Sequence, residues 1–225
     1  MWLFDLDNTL HDATAAAFGV LNQSFTDYIG RHLQLPAAEA NELRQHYYRR
    51  YGATLLGLER HHGVKAAHFL EETHRLPGLE QRVRAHAPSS AALARLRGDK
   101  YVLTNGPRRY AQRVLAALGL SHHFCDVIGI EQMRMFGELR PKPDRRMFRK
   151  LLAQLGVRAS RCTLVEDTLD HQRAAAALGM RTVWMQRYLA TPMGPLQTSV
   201  RRPRMQRRPA YVCARIRSLQ SLRRL

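Results

Sequence analysis

From residue 101 onward, short apolar runs alternate with stretches of helical periodicity, and no other feature of the sequence constrains the fold more. The runs lie at residues 101–104, 124–130, 162–165 and 182–185, and apolar residues at helical spacing lie between them. A further apolar run at residues 2–6 predicts a first strand. Because alternating strands and helices are typical of α/β proteins, we predict a Rossmann-like, doubly wound parallel sheet.

The first two predicted strands are separated by far more chain than one crossover helix requires. Apolar residues between them predict helices over residues 15–29, 36–51 and 64–74. We therefore predict an α/β core of residues 1–11 and 86–187, with residues 12–85 inserted after the first strand as a helical cap. In open α/β sheets, ligands bind at the carboxyl ends of the strands, which is where this cap would leave the core.

Three further properties limit the class of protein. No run approaches the roughly 20 apolar residues that a membrane-spanning helix needs, so we expect no membrane span. The amino terminus lacks a basic start followed by a cleavable apolar stretch, so we expect no secretory signal. Cys125, Cys162 and Cys213 fit neither a disulfide framework nor a C-x-x-C metal site, which indicates a reducing, cytoplasmic setting.

The C-terminal segment is strongly basic. Residues 188–225 contain nine arginines and no acidic residue, in a chain whose formal net charge is +18. Such a segment either binds nucleic acid or an anionic membrane, or is a solvated terminus. We interpret its Arg- and Pro-rich part, residues 192–209, as a linker. Val212, Ile216 and Leu219 recur at helical spacing, which predicts a C-terminal helix that docks on the core.

Two of the predicted strands end in acidic pairs. Asp5 and Asp7 lie at the carboxyl end of the first strand, and Glu166 and Asp167 follow the strand at residues 162–165. Carboxylates that lie close together repel each other unless a cation lies between them or one of them holds a proton. Since hard oxygen ligands suit Mg²⁺, these acids are candidate metal ligands. The alternatives are an ordinary acidic turn and N-capping of the next helix by Asp167.

Two segments between these pairs have the composition of an anion site. Thr104, Asn105 and Gly106 follow a strand and open a helix, where a hydroxyl, N–H groups and a glycine suit a phosphate. Lys142 is flanked by prolines and is one of only four lysines in the chain. Its ammonium would supply a compact charge for a phosphate oxygen. A plain helix cap and an exposed lysine at a helix start are the alternatives.

The order of these four segments carries a family resemblance. Over residues 2–186 the sequence resembles the haloacid dehalogenase (HAD) superfamily of hydrolases, subfamily I, whose first motif, Asp-x-Asp-x-Thr, stands at residues 5–9. Residues 47–58, together with Thr-Asn-Gly-Pro at residues 104–107, are similar to the pyrimidine 5′-nucleotidase branch. The sequence departs from that branch at His171, where asparagine is usual.

The resemblance implies roles for the acidic residues. Asp5 is implied as the nucleophile that forms an aspartyl-phosphate, and Asp7 as the acid for the leaving group and then the base for water. Mg²⁺ is implied to be held by the Asp5 carboxylate, the Asp7 carbonyl and Asp167, with Glu166 acting directly or through water. The cation would offset the repulsion between an anionic nucleophile and an anionic phosphate.

The candidate substrate contacts form two sets. Those that the resemblance implies for the phosphoryl oxygens and their charge are Thr104, Asn105, Gly106 and Lys142. Those outside the motifs are Arg108, Tyr48 and Tyr51. Arg108 either steers the phosphate or is a solvated surface residue. The two tyrosines either stack on a base or belong to the cap core.

We therefore expect a Mg²⁺-dependent phosphomonoester hydrolase that acts on a small phosphorylated metabolite, a nucleoside 5′-monophosphate. Asp7 favours this reaction over carbon–halogen cleavage, because a halide leaves without a proton whereas an alkoxide does not. The alternatives are a phosphatase for a sugar or another metabolite phosphate, and a basic nucleic-acid-binding protein on an inactive hydrolase scaffold.

Overall fold

The computed structural model describes residues 1–84, 86, 88–189 and 207–224. The chain divides into two compact units: a core unit formed by Met1–Ala16 and Glu80–Leu225, and a helical unit formed by Ala17–Leu79. The helical unit is shorter at both ends than the insertion predicted at residues 12–85. At its start, residues 12–16 group with the core unit, and Ala13 and Ala16 among them are buried.

Within the described residues, the core unit contains a six-stranded sheet whose neighbouring strands are all parallel. The strands of the protein are β1 (Trp2–Phe4), β2 (Lys100–Leu103), β3 (Asp126–Ile128), β4 (Arg134–Met135), β5 (Glu138–Leu139), β6 (Thr163–Glu166), β7 (Arg181–Met185) and β8 (Ala214–Ile216). The spatial order in the sheet is β3-β2-β1-β6-β7-β8, and β4 and β5 form a separate antiparallel hairpin. This topology confirms the predicted Rossmann-like, doubly wound parallel fold.

The helical unit consists of short amphipathic helices. They are α1 (Gly19–Leu33), α2 (Ala37–Tyr51), α3 (Thr54–His62) and α4 (Ala66–Thr73), and a π-helical turn at Thr14–Phe18 precedes α1. Gly52 and Gly63 end α2 and α3 with φ angles of 78° and 62°, which a residue without Cβ adopts at little cost. Nowhere in the described part of the chain is a helix both long and apolar enough to cross a bilayer.

The remaining helices lie in the core unit, apart from Leu79, which begins the first of them and belongs to the helical unit. They are α5 (Leu79–Arg82), α6 (Ser89–Arg95), α7 (Arg108–Ala117), α8 (Arg145–Gln154) and α9 (Leu169–Ala176), with 3₁₀ turns at Ser121–His123, Ile130–Met133, Ala159–Arg161 and Leu219–Arg224. Strand β1 lies inside the sheet, between β2 and β6, and its apolar side chains Leu3 and Phe4 are fully buried. From β1 the strand order runs outward in both directions, so the carboxyl ends of β1 and its neighbours form the crevice where such sheets bind ligands.

The C-terminal segment contains a strand and not the predicted helix. Strand β8 pairs with β7, with Ile216 opposite Met185. Val212, Ile216 and Leu219 are all buried, so the segment packs within the core unit. Their helical spacing was misleading because Val212 precedes the strand and Leu219 follows it, on a 3₁₀ turn. The linker predicted at residues 192–209 falls mostly outside the described residues.

Candidate active site

The carboxyl ends of three adjacent strands bring the predicted motif residues together. Asp5 follows β1, Thr104 follows β2, and Glu166 ends β6 with Asp167 directly after it. Strand β1 pairs in parallel with β2 on one side and with β6 on the other. These side chains therefore emerge at one edge of the sheet, although their positions in the sequence are far apart.

Lys142 joins the first and fourth motifs. Its ammonium donates to Asp5 Oδ1 at 2.7 Å, to Glu166 Oε2 at 2.8 Å and to the carbonyl oxygen of Leu103 at 2.8 Å. The Lys142 side chain is fully buried, and the side chains of Asp5 and Glu166 are only 8% and 1% exposed. Each of the three N–H groups of the ammonium thus has an acceptor within the protein. In this arrangement Lys142 holds Asp5 directly, which the sequence did not predict.

Burial sets the proton affinities of these groups. Burial and the nearby charge of Glu166 raise the pKa of Asp5 from 3.8 to about 7. Burial, with Glu166 and Asp5 close by, also raises the pKa of Asp167 well above its ordinary value. Burial acts in the same direction on Glu166, but Lys142 and His171 outweigh it and lower the Glu166 pKa. Burial alone would lower the pKa of Lys142, yet Asp5 and Glu166 raise it.

Asp5, Glu166 and Asp167 form a cluster that fits a divalent cation. A carboxylate oxygen from each residue lies within 4.8 Å of the other two. When all three carboxyl groups are ionised, they and the single ammonium of Lys142 leave two negative charges unbalanced among these four residues. A divalent cation matches that charge, and carboxylate oxygens are the hard ligands that Mg²⁺ prefers.

Neighbouring groups orient the acidic pair after β6. The backbone N–H of Thr168 donates to Glu166 Oε1 and its hydroxyl donates to Asp167 Oδ1, both at 3.2 Å. Trp184 of β7 donates from Nε1 to the Asp167 carbonyl oxygen at 2.8 Å. His171 Nδ1 lies 3.1 Å from Glu166 Oε2. The N-cap residue of α9 is Thr168, so the alternative of an N-cap at Asp167 is wrong.

The segment after β2 is fixed to the segment of Lys142. The side-chain amide of Asn105 donates to the Lys142 carbonyl oxygen, and Asn105 Oδ1 accepts from the Lys142 backbone N–H, both at 2.9 Å. Thr104 is buried, and its Oγ1 accepts from the Gly106 N–H at 2.9 Å. The Asn105 side chain thus serves the protein framework, and its backbone N–H is the group to which a phosphate contact would belong.

Arg108 makes different contacts from those predicted. Its guanidinium donates to both carboxylate oxygens of Asp126, at 2.5 Å and 3.1 Å, and to the Val127 carbonyl oxygen at 2.7 Å. The carboxylate of Glu131 accepts from the backbone N–H of Arg108 at the start of α7. These contacts tie α7 to β3, so the guanidinium is committed to the protein and its contacts do not support the predicted steering of phosphate.

Tyr48 and Tyr51 lie on α2 of the helical unit. Tyr48 is 55% exposed, which is unusual for a large aromatic side chain. The hydroxyl of Tyr51 is 2.6 Å from His61 Nε2 and accepts from Arg50 Nε at 3.1 Å. Of the two predicted stacking residues, Tyr48 therefore presents more of its ring to solvent, whereas Tyr51 takes part in polar contacts within the unit.

Two contacts of Asp7 were missed by sequence reasoning. The hydroxyl of Tyr110 donates to Asp7 Oδ1 at 2.7 Å, and His11 Nε2 lies 3.0 Å from the same oxygen. Burial and the charge of Asp7 raise the pKa of Tyr110 well above its ordinary value, so the hydroxyl keeps its proton. Tyr110 is 103 residues from Asp7, so no local spacing in the sequence indicates their contact. His11 lies only four residues after Asp7, and this short separation in the sequence could have indicated their contact.

Comparison with known sequences identifies the family to which this chain is similar. A family model described as haloacid dehalogenase-like hydrolase matches residues 2–179. A phosphoserine phosphatase from Thermus thermophilus is 30% identical over 180 residues, which cover 79% of this chain and 68% of that protein. Phosphate metabolism protein 8 from Saccharomyces cerevisiae is 23% identical over 193 residues, which cover 80% of this chain but only 59% of that protein.

Solved structures share the fold. A HAD phosphatase from Thermococcus onnurineus has a TM-score of 0.64 and 22% identity, with 99% of this chain and 95% of that chain covered. An L-2-haloacid dehalogenase from Xanthobacter autotrophicus has a TM-score of 0.59 and 19% identity, with 99% and 96% covered. At such identities the likeness establishes the fold alone.

Proposed function

The chain belongs to the haloacid dehalogenase-like hydrolase family and is a phosphatase, and we propose that it uses Mg²⁺ to hydrolyse small phosphate monoesters through an aspartyl-phosphate on Asp5. The observation that carries this proposal is the cluster of Asp5, Glu166 and Asp167 beside Lys142. Asp5 is held as the nucleophile, and Asp5, Glu166 and Asp167 would each supply an oxygen ligand for the cation.

Each residue has a defined task in the proposed reaction. Asp5 attacks phosphorus with the oxygen that Lys142 does not bind, and the bond to the leaving oxygen breaks as Asp7 protonates it. Water then attacks phosphorus, Asp7 takes a proton from that water, and the bond from phosphorus to Asp5 breaks. Thr104 and the Asn105 N–H hold phosphoryl oxygens during both steps. When bound, Mg²⁺ offsets the repulsion between the nucleophile and the phosphate.

Asp7 and the acidic cluster favour phosphate ester hydrolysis over dehalogenation, a choice that the shared fold leaves open. A halide is a weak base and leaves without a proton, whereas an alkoxide needs the proton that Asp7 would supply. Cleavage of a carbon–halogen bond also gives no task to Glu166 and Asp167 as ligands of a cation.

For the substrate we propose a nucleoside 5′-monophosphate. The support is the similarity of residues 47–58 to the pyrimidine 5′-nucleotidase branch, together with the exposed ring of Tyr48. An aromatic ring of this kind can stack on a base.

Phosphoserine is a second candidate, supported by the similarity to the Thermus thermophilus phosphoserine phosphatase. It has no ring to stack and carries an ammonium and a carboxylate instead. Values of kcat/KM for a pyrimidine nucleoside monophosphate, phosphoserine and a sugar phosphate separate the candidates. The nucleotide proposal predicts the highest value for the nucleotide, and a higher value for phosphoserine or for the sugar phosphate would contradict it.

Turnover of p-nitrophenyl phosphate tests the reaction itself. We expect turnover with Mg²⁺ that stops when a chelator is added and returns when Mg²⁺ is restored. Asp5→Asn should lower kcat on the order of 10⁴-fold or more, because the nucleophile is lost. Asp27→Asn, which alters an exposed acid on α1, is the matched control and should leave kcat unchanged. Undiminished turnover in Asp5→Asn would exclude Asp5 as the nucleophile.

A further inference from the structure

We propose that Tyr110 is a positioning residue that fixes the carboxylate of Asp7, so that proton transfer to the leaving group and from water takes place at Asp7 Oδ2. The proposal rests on the proposed function, since it concerns the acid and base of that reaction. It assigns a task to a residue that lies outside the four sequence motifs.

The two carboxylate oxygens of Asp7 have different hydrogen-bond partners. Oδ1 accepts a hydrogen bond from the Tyr110 hydroxyl at 2.7 Å and lies 3.0 Å from His11 Nε2. Tyr110 and His11 are both buried, whereas the Asp7 side chain is 20% exposed. Two buried partners on one oxygen hold the carboxylate plane in place. The oxygen that carries no described hydrogen bond, Oδ2, is the atom left for the substrate.

The local sequence makes room for this contact. Tyr110 lies in the first turn of α7, which begins directly after the Thr104–Gly106 segment and Pro107. A Cβ atom at position 106 would lie 3.1 Å from Cδ1 of Tyr110 and 3.3 Å from Thr104 Oγ1. Because both distances are tighter than ordinary contact, a side chain there would press on the ring. Gly106 thus permits the Tyr110 ring to approach, in addition to any contact with phosphate.

A fixed Oδ2 suits the two halves of the reaction. In the first half the bond from phosphorus to the leaving oxygen breaks, and the proton on Asp7 Oδ2 moves to that oxygen. In the second half a water oxygen bonds to phosphorus, the water proton moves to Asp7 Oδ2, and the bond from phosphorus to Asp5 breaks. One atom thus gives and takes the proton, and proton transfer depends strongly on its position.

A comparison of substrates with different leaving groups shows whether Tyr110 positions the acid Asp7 or has only a structural role. A nitro-substituted phenolate leaves with little need of a proton, whereas the alkoxide of an alkyl phosphate needs one. We expect Tyr110→Phe to lower kcat/KM for an alkyl phosphate about 10²-fold, within the usual range for general acid catalysis. The loss for p-nitrophenyl phosphate should be smaller than the loss for the alkyl phosphate, whereas an equal loss for both would overturn the proposal.

Controls keep the result interpretable. Tyr28→Phe removes a hydroxyl that pairs with His68 in the helical unit. It should not lower kcat/KM for either substrate. If Tyr110→Phe does not fold, as judged by circular dichroism, His11→Gln is measured on the same two substrates. A loss confined to the alkyl phosphate supports the fixed carboxylate, and an equal loss overturns it. A wild-type protein inactive on both substrates would instead contradict the proposed function.

Discussion

Lys142 allows the acidic cluster to be buried. Its ammonium lies between Asp5 and Glu166, at 2.7 Å and 2.8 Å, and all three side chains are almost completely buried. A buried carboxylate without a partner is costly, and loss of one partner of a buried ion pair typically destabilises a protein by about 3–5 kcal/mol. In the proposed reaction, the same contact fixes one oxygen of Asp5 and leaves the other for the substrate. We therefore expect both the stability and the reactivity of the protein to depend on Lys142.

Replacement of Lys142 by methionine keeps much of the side-chain volume and removes the charge. We expect Lys142→Met to lower the free energy of unfolding by about 3–5 kcal/mol and to lower kcat on the order of 10²–10³-fold. Denaturant unfolding and steady-state kinetics measure the two effects. Lys65→Met, at an exposed lysine of the helical unit, is the matched control. If the free energy of unfolding of Lys142→Met equals that of the wild type, Lys142 is not the counter-charge of the buried carboxylates.

Residues that follow strands were predictable, and residues placed by tertiary packing were not. Asp5 and Asp167 were predictable because polar residues at the ends of apolar runs mark the edge of a parallel sheet. Lys142 was predictable from its flanking prolines and its place in the motif order. The contact of Tyr110 with Asp7 gives no such signal, because only the fold brings the two residues together. Arg108 shows the opposite error. It lies two residues after Gly106 of the predicted anion site, but its guanidinium pairs with Asp126 of β3.

At the scale of helices, α2 and α3 pack closely at Gly57. A Cβ atom at position 57 would lie 2.2 Å from Cγ and 2.6 Å from Cβ of Tyr47. Tyr47 is buried, and its hydroxyl is 2.7 Å from His62 Nε2. The Tyr47 ring therefore cannot move aside without loss of its own contacts. Gly57 is the residue that allows the two helices to approach.

The substitution Gly57→Ala affects stability in two opposite ways. Alanine favours a helix over glycine by about 1 kcal/mol, whereas overpacking of a core typically costs about 1–3 kcal/mol and occasionally more. Since the overlap involves Tyr47 Cβ, which a rotamer change cannot move, we expect a net loss of stability. Thermal unfolding measures it. Gly19→Ala, with no atom within 4 Å of the new Cβ, should be neutral or slightly stabilising. Equal stability of the two variants would refute the close contact.

Element type was predictable where a pattern was long enough to show its period. Helices α1, α2 and α4 correspond to predicted helices, and β1, β2, β6 and β7 correspond to predicted strands. Strand β8 has only three residues, and Arg215 lies in its middle, so it lacks the apolar run that indicates the equally short β1. The buried residues on either side of it happen to have helical spacing. Helix α3 has nine residues, including Gly57, and has no counterpart in the prediction.

At the scale of the whole molecule, the sheet obtains its last strand from the C-terminal segment. The Gln186 N–H donates to the Ile216 carbonyl oxygen and the Cys213 N–H to the Thr182 carbonyl oxygen, both at 2.9 Å. Ile216 is buried beside these ladder contacts. The segment is therefore part of the fold of the core unit, although it lies beyond the residues that match the family model.

Ile216→Ala tests that contribution. Truncation of a buried isoleucine to alanine typically costs about 2–5 kcal/mol, and we expect a loss in this range by denaturant unfolding. Turnover per folded molecule should not change, because β8 is separated from β1 by two strands. Gln220→Ala, at an exposed position of the same segment, should stay within about 0.5 kcal/mol of the wild type. Wild-type stability of Ile216→Ala would show that the segment contributes little.

Mass spectrometry of enzyme quenched in acid during turnover tests the proposed chemistry most directly. With p-nitrophenyl phosphate and Mg²⁺, we predict one phosphoryl group on the peptide that contains Asp5. The adduct should accumulate in Asp7→Asn, where the base for water is missing, and should be absent in Asp5→Asn. Turnover without any phosphorylated peptide, or with the phosphoryl group on a residue other than Asp5, would contradict the mechanism.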